Sequence, residues 1–216
     1  MDNFLSYILT AEFAYSVLRV TTPLLFAAQA SVVAENSGAS NIALEGIMLF
    51  AAAFGALGTG LTGSLFIGFL IALGGGLLIA VLLAYFALYL KTDIILSGIA
   101  LNTLAAGGTV FIMYVLIHDK GSTSSLVSLV FPKVVIPGIA AIPVLGSILS
   151  GQNVLTYIAF FTVFAVWFLL YKTKLGMHIR CVGENPDAAE SVGIPIRKTR
   201  VIALLISGLL ASLGGV

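Results

Sequence analysis

The sequence predicts an all-α, polytopic bundle of membrane-crossing helices, and three observations carry that prediction. Of 216 residues, 60% are hydrophobic and only 9% are charged, against about 25% charged in an ordinary soluble domain. The apolar residues fall into six long runs separated by polar breaks, and a crossing helix needs about 20 such residues. Within each run the apolar residues occupy every face. The strands of an outer-membrane barrel would instead alternate apolar and polar residues over about ten positions, whereas helices satisfy their own backbone in lipid.

The runs follow in order. The first covers residues 13–34, with Glu12 and Arg19 near its start, and ends at the polar stretch Glu35-Asn36-Ser37-Gly38-Ala39-Ser40-Asn41. The second, 42–57, contains Glu45, and the third, 62–90, is long enough to span with tilt and contains Gly74-Gly75-Gly76. Lys91-Thr92-Asp93 breaks the pattern before a fourth run at 94–117. Residues 118–153 hold a Ser/Thr cluster, Pro132, Pro137, Pro143 and Gly151, and read as a partly apolar loop. The fifth run covers 154–171, and 172–200 is a polar loop. The sixth run begins at Val201 and holds about 16 apolar residues, short of a full crossing. The expectation is a single transmembrane domain over residues 1–216, with five complete spans and a sixth cut short in a fragment or truncated product. Asp2, with no Lys or Arg before the first run, does not fit a cleaved secretory signal.

Six of the ten basic residues (Lys172, Lys174, Arg180, Arg197, Lys198 and Arg200) lie between the fifth and sixth runs. The positive-inside bias makes that loop cytoplasmic. Counting back puts 118–153 outside, 91–93 inside, 59–62 outside, 35–41 inside and the N-terminus outside, unless 35–46 is re-entrant. Small residues recur four apart (Ala51 and Gly55; Ser207, Ala211 and Gly215; Gly208 and Ser212), a spacing that lets helix backbones approach closely. Trp167 and Tyr171 read as interfacial anchors.

Composition also excludes functions. A net charge of +1 gives no basic face for nucleic acid, so no nucleic-acid partner is expected. One cysteine excludes an intrachain disulfide, and His118, His178 and Cys181 do not make a zinc site; no metal or cofactor is expected. No G-x-x-x-x-G-K-[ST] phosphate loop occurs. Paired acids or a serine with a base at helix midpoints are also missing, which argues against an intramembrane enzyme.

The cytoplasmic loop is the most informative stretch. Asn185 is a good N-cap and Pro186 suits the first helical position. Asp187 and Glu190 complement the helix dipole, while Gly193 and Pro195 stop the helix. The spacing predicts a short helix over 186–192 exposing Ala188, Ala189 and Val192. Two turns are not stable alone, so this helix rests on the membrane domain, on a partner, or on both.

Leu175-Gly176-Met177-His178-Ile179-Arg180, leading into Val182-Gly183-Glu184-Asn185-Pro186 and Val192-Gly193-Ile194, resembles the cytoplasmic coupling segment of bacterial ABC-transporter permeases for simple sugars and nucleosides. Thr22-Pro23-Leu24-Leu25-Phe26-Ala27-Ala28, Glu35-Asn36-Ser37-Gly38 and Asn41-Ile42-Ala43-Leu44-Glu45-Gly46 are similar to that family's opening motif. Asp93-Ile94-Ile95-Leu96-Ser97-Gly98-Ile99-Ala100-Leu101-Asn102 is similar to its mid-chain motif. The likeness covers most of 20–216 and is nearest to the nucleoside permeases. It implies an inner-membrane subunit that binds no ATP itself. A separate cytoplasmic ABC ATPase would receive the short helix through Gly183, Glu184, Asn185, Pro186, Ala188, Ala189, Val192 and Gly193. A second permease, similar or identical, and an extracytoplasmic solute-binding protein would complete the importer. Family members continue through further spans beyond Ser207-Gly208-Leu209-Leu210-Ala211, which leaves a non-transporting truncated permease as an alternative.

Polar groups at membrane depth face the bundle interior or water. Asn41 and Glu45, four apart on one helical face, and Asn102 are candidates for lining a sugar or nucleoside path. Interhelical hydrogen bonding is the competing reading for Asn102 and Gln29, at about 0.6 kcal/mol per bond. A stand-alone carrier or channel would need several buried ionisable groups, and only Glu45 qualifies.

Overall fold

The computed structural model describes residues 10–118, 129–134 and 150–216. The Ser/Thr cluster, Pro137 and Pro143 of the expected outer loop lie outside the described residues. The main helices are α1 (Ala11–Glu35), α2 (Leu44–Thr62), α3 (Leu65–Ala84), α4 (Ile94–Ile117), α5 (Val154–Lys172) and α8 (Ile196–Gly215). Two shorter helices, α6 (Lys174–Glu184) and α7 (Pro186–Ser191), fill the polar loop. A two-residue antiparallel ladder, β1 (Lys133–Val134) with β2 (Gln152–Asn153), pairs Lys133 with Asn153 and Val134 with Gln152.

Caps explain most boundaries. The Thr10 hydroxyl accepts the Phe13 N–H, and the Asp93 carboxylate accepts the N–H groups of Ile95 and Leu96 at 2.8 and 3.0 Å. Asn153 does the same for Leu155. Each satisfies a donor that the first helical turn leaves unpaired. Gly63 takes a left-handed φ of 64° and closes α2, where a side chain would be strained. α3 ends in a π-turn, Tyr85–Tyr89, in which the Leu90 N–H reaches the Tyr85 carbonyl.

Among the described residues, five helices are long and apolar enough to cross a membrane, all five in the runs expected from sequence. α8 packs against α1, α2 and α3, while α4 lies mainly on α2 and α5 on α1. The close approach rests on the small residues. A Cβ on Gly208 would overlap the Ala80 side chain, one on Gly76 would overlap Ser212, and one on Gly215 would overlap the Met48 backbone. Ala51, Ser207, Ala211 and Ser212 are fully buried, as their spacing predicts. Around them Phe26, Ile47, Ile79, Leu83 and Leu204 fill the core.

Three boundaries differ from the sequence expectation. α8 begins at Ile196 rather than Val201. Arg197, Lys198 and Arg200 therefore belong to its first turns, and its 20 residues measure about 30 Å. An apolar count misses such residues because long basic side chains carry their charge out to the interface. α2 begins at Leu44 and continues to Thr62, past the expected 57. The segment 174–184, expected as irregular loop, is the helix α6, whose buried face is Gly176, Ile179 and Val182.

The contacts sort the helix ends to two sides. The Tyr15 hydroxyl donates to the Gly151 carbonyl at 2.8 Å, placing the start of α1 with residues 150–153. The Arg200 Nε–H donates to the Ser37 carbonyl at 3.2 Å, and Gly183 abuts Asn36 and Gly38. Residues 35–41 therefore share a side with the basic loop, the cytoplasmic side by the positive-inside bias.

Candidate functional site

Two neighbouring regions carry the candidate residues: the α6–α7 elbow and the segment 36–46. In the elbow, the Asn185 side chain accepts the Ala188 N–H at 3.0 Å, and Pro186 occupies the first helical position. At the other end, the Gly193 N–H donates to the Glu190 carbonyl at 2.9 Å and the Ile194 N–H to the Ala189 carbonyl at 3.0 Å. With Gly193 at φ 83°, these bonds form a Schellman motif. Both ends of this two-turn helix are thus closed, as the sequence predicts.

The orientation of α7 differs from the expectation at one residue. Ala189 is 3% exposed and faces the chain's own membrane domain, whereas Val192 is 73% exposed and Ala188 is also outward. The helix has one inward face because its amino-terminal neighbour is fixed. A Cβ on Gly183 would overlap the Asn36 carbonyl oxygen and come within 3.1 Å of the Gly38 nitrogen. Gly183 therefore allows backbone-to-backbone contact between α6 and the α1–α2 connection. Glu184 and Asn185 are exposed. Beside them a cavity of about 600 Å³ is lined by Glu35, Asn36, Arg180 and Glu184. Arg180 stacks on Tyr171, its Cζ 4.7 Å from the ring centroid, and its Nε is buried with no partner among the described residues.

The connection from α1 to α2 packs into the bundle. Ser37, Ala39, Asn41 and Ala43 are buried, and the chain turns back between α8 and α4 before α2 begins. Irregular backbone at membrane depth survives only where protein supplies its hydrogen bonds. Here two asparagines supply them. The Asn41 amide donates to the Ser207 hydroxyl of α8 at 2.9 Å and accepts the Ala43 N–H at 3.2 Å. The Asn102 amide of α4 donates to the Ile42 carbonyl at 2.9 Å and accepts the Gly46 N–H at 2.8 Å. The residue preceding α2, Ala43, has no side-chain cap of its own, so Asn102 caps that helix from a neighbour. Gly46 permits this proximity, since a Cβ there would lie 2.8 Å from Asn102 Oδ1.

Glu45, in the first turn of α2, is exposed and has neither hydrogen bond nor ion pair among the described residues. The three intramembrane candidates are thus gathered within a few residues of one helix start, but only Glu45 has its polar atoms free. Gln29 is buried elsewhere and donates to the Ala159 carbonyl of α5 at 3.2 Å. Sequence reading missed Ser207 as the partner of Asn41 and Arg200 as a link to Ser37. The four-residue spacing of Ser207 pointed to burial but not to a bond. Among the described residues no group of three or more His, Cys, Asp or Glu is placed to hold a metal ion.

A bundle of long apolar helices, with a buried connection before α2 and a capped helix on the basic side, defines a polytopic membrane protein. Residues 13–216 match the model of the branched-chain amino acid transport system permease component family, and the chain belongs to that family. It is 38% identical to a guanosine ABC transporter permease protein of Bacillus subtilis, over 98% of this chain and 66% of that protein. It is 33% identical to a nucleoside ABC transporter permease protein of Lactococcus lactis subsp. cremoris, over 93% of this chain and 64% of that one. A Haloferax volcanii protein provisionally named a glucose ABC transporter permease is 31% identical, over 94% and 62%. The chain spans about two thirds of the length of these curated relatives. No solved structure matches it.

Proposed function

We propose that the chain is a membrane-spanning subunit of an ABC importer that moves a nucleoside or a simple sugar across a bacterial inner membrane. ATP hydrolysis would reside in a separate cytoplasmic ATPase. The observation that carries this reading is α7: a helix closed at both ends, fixed on one face through Ala189 and presenting Ala188 and Val192 outward. So short a helix is uneconomical as a mere connector. Its exposed small and apolar face between Asp187, Glu190 and Glu184 suits insertion into a groove on a partner. The named activities of the relatives supply the substrate class.

A second permease, identical or similar, would face the side of α2 that carries Glu45. The carboxylate would then border the solute path, where costly burial of an unpaired charge is avoided by water. Asn41 and Asn102 would act on that path by holding the start of α2, their amides being engaged in hydrogen bonds. A solute-binding protein would meet the opposite side, near residues 150–153.

The test is affinity purification of the tagged protein from its native membrane, for the wild type, Val192→Asp and Ala188→Arg. Each substitution should abolish recovery of an ABC ATPase while leaving the membrane-inserted amount unchanged. Undiminished ATPase recovery in both variants would overturn the docking role, and absence of any ATPase from the wild type would overturn the importer reading.

A further inference from the structure

We propose that the cytoplasmic edge between the end of α3 and the start of α8 is a binding site for the phosphate headgroup of an anionic phospholipid. A cavity of about 660 Å³ opens there, with Lys91, Arg197, Lys198 and Arg200 on its wall and Glu190 as its one carboxylate. None of the four cations forms an ion pair among the described residues. Four positive charges around one cavity with a single negative one leave an excess that an anion would neutralise.

Three of the four cations, Lys91, Arg197 and Arg200, sit at positions fixed by features that the helices alone do not require. The π-turn Tyr85–Tyr89 shifts the exit of α3, and Lys91 follows it with a left-handed φ of 55°. A lysine in that conformation is strained unless its surroundings impose it. Here the Thr92 hydroxyl donates to the Phe86 carbonyl at 2.7 Å and meets the Ser97 hydroxyl at 2.8 Å, locking the turn. Arg197 lies over the Tyr89 ring, its Cζ 5.2 Å from the centroid, and Arg200 is anchored through its Nε to Ser37. All of these contacts leave the formal charge unneutralised.

The second half of the argument is apolar. Ile67, Leu70, Leu78, Val81 and Tyr85 are exposed along α3, at the spacing of one helical stripe. That stripe leads to Tyr89, half exposed, on the wall of the cavity. A soluble anion would fill the cavity without touching the stripe. A molecule with an anionic head at the inner interface and acyl chains below it would use both, which is the geometry of basic pockets between membrane helices. The general positive-inside bias requires cations on this side but not their convergence on one cavity at the foot of an apolar stripe.

The experiment uses the protein purified from its native membrane with its associated subunits. It is reconstituted in nanodiscs of phosphatidylcholine with phosphatidylglycerol, and retained lipid is counted by native mass spectrometry. The wild type should retain phosphatidylglycerol in preference to phosphatidylcholine. Lys91→Gln combined with Lys198→Gln should weaken that retention by on the order of 25-fold, taking about fivefold for each cation. Lys172→Gln combined with Lys174→Gln removes the same charge from the same face outside the cavity and should leave retention unchanged. The charge-keeping pair Lys91→Arg with Lys198→Arg should restore it. Equal loss in both glutamine pairs would overturn the site, as would a wild type with no preference between the two lipids. Displacement of the lipid by inorganic phosphate at equal concentration would assign the cavity to a soluble anion instead. If the Lys91/Lys198 glutamine pair does not fold, Lys198→Gln alone, at an exposed position, decides the matter: about fivefold weaker retention supports the site and unchanged retention overturns it.

Discussion

The Asn102 side chain holds Gly46 by accepting its backbone N–H at 2.8 Å, while donating to the Ile42 carbonyl four residues earlier. One amide thus satisfies both an orphan donor and an orphan acceptor at a helix start that lies about 12 Å along α4 from its cytoplasmic end.

Asn102→Leu should therefore lower thermal stability, because the Ile42 carbonyl and the Gly46 N–H each lose a hydrogen bond at about 1 kcal/mol apiece. The exposed neighbour Thr103 bonds only to Ile99 of its own helix, so Thr103→Ala should change little. Melting of the two variants in the same detergent checks this; equal melting temperatures would remove the capping role.

Gly183→Ala should be more damaging than its size suggests. The added methyl meets the Asn36 carbonyl oxygen, a backbone atom that cannot rotate away, and overpacking of this kind costs about 1–3 kcal/mol. Gly74→Ala in the middle of α3 has nothing within 4 Å of the new methyl. It should be neutral or stabilise by about 0.5–1 kcal/mol, since alanine restricts the unfolded chain. The contrast is read from thermal unfolding and from protease resistance of the 36–38 connection.

Ala189→Arg and Val192→Asp separate folding from docking. Ala189 is buried against the membrane domain, so an arginine there should disorder α7 and reduce protein yield. Val192→Asp should keep yield and lose the ATPase. Normal yield of Ala189→Arg with a protease-resistant α7 would mean that the helix is turned differently.

Glu45→Gln should leave the melting temperature unchanged, because the carboxylate has no protein partner among the described residues, and should alter uptake of a labelled nucleoside. Gln29→Ala should show the reverse pattern, losing its bond to Ala159 and about 0.6 kcal/mol of packing with little effect on uptake. Equal uptake by Glu45→Gln and wild type would remove Glu45 from the path.

The elements most legible in the sequence are those whose signals are local. Asp93 and Asn153 stand directly before apolar runs, and α4 and α5 begin at the next residue. Asn185, Pro186 and Gly193 mark α7 to within a residue. The helix α6 was hidden because its apolar face, Gly176, Ile179 and Val182, is small and interleaved with Lys174, His178 and Arg180; its three-residue spacing was the available signal. The inward turn of Ala189 was not legible at all, since the phase of a two-turn helix is set by the Gly183 contact with Asn36, about 150 residues away in the chain. The same holds for Asn41 and Ser207. Their side chains name a hydrogen-bonding need, and only the tertiary fold says where it is met.

The central position of α8 also governs the order of assembly. Synthesis delivers α1, α2 and α3 to the membrane well before the helix that fills the space between them. Until it arrives, the grooves at Gly76, Ala80 and Met48 face lipid, and Asn41 has no hydroxyl from Ser207. α2 and α3 already pack closely on each other through Gly58 and Gly68, so that pair can form early, while the docking of α1 and the filling of the open grooves wait for α8. A lesion on the small-residue face of α8 would on this account leave a chain that is inserted and correctly threaded, yet never fully packed, and visible to the quality-control proteases of the membrane.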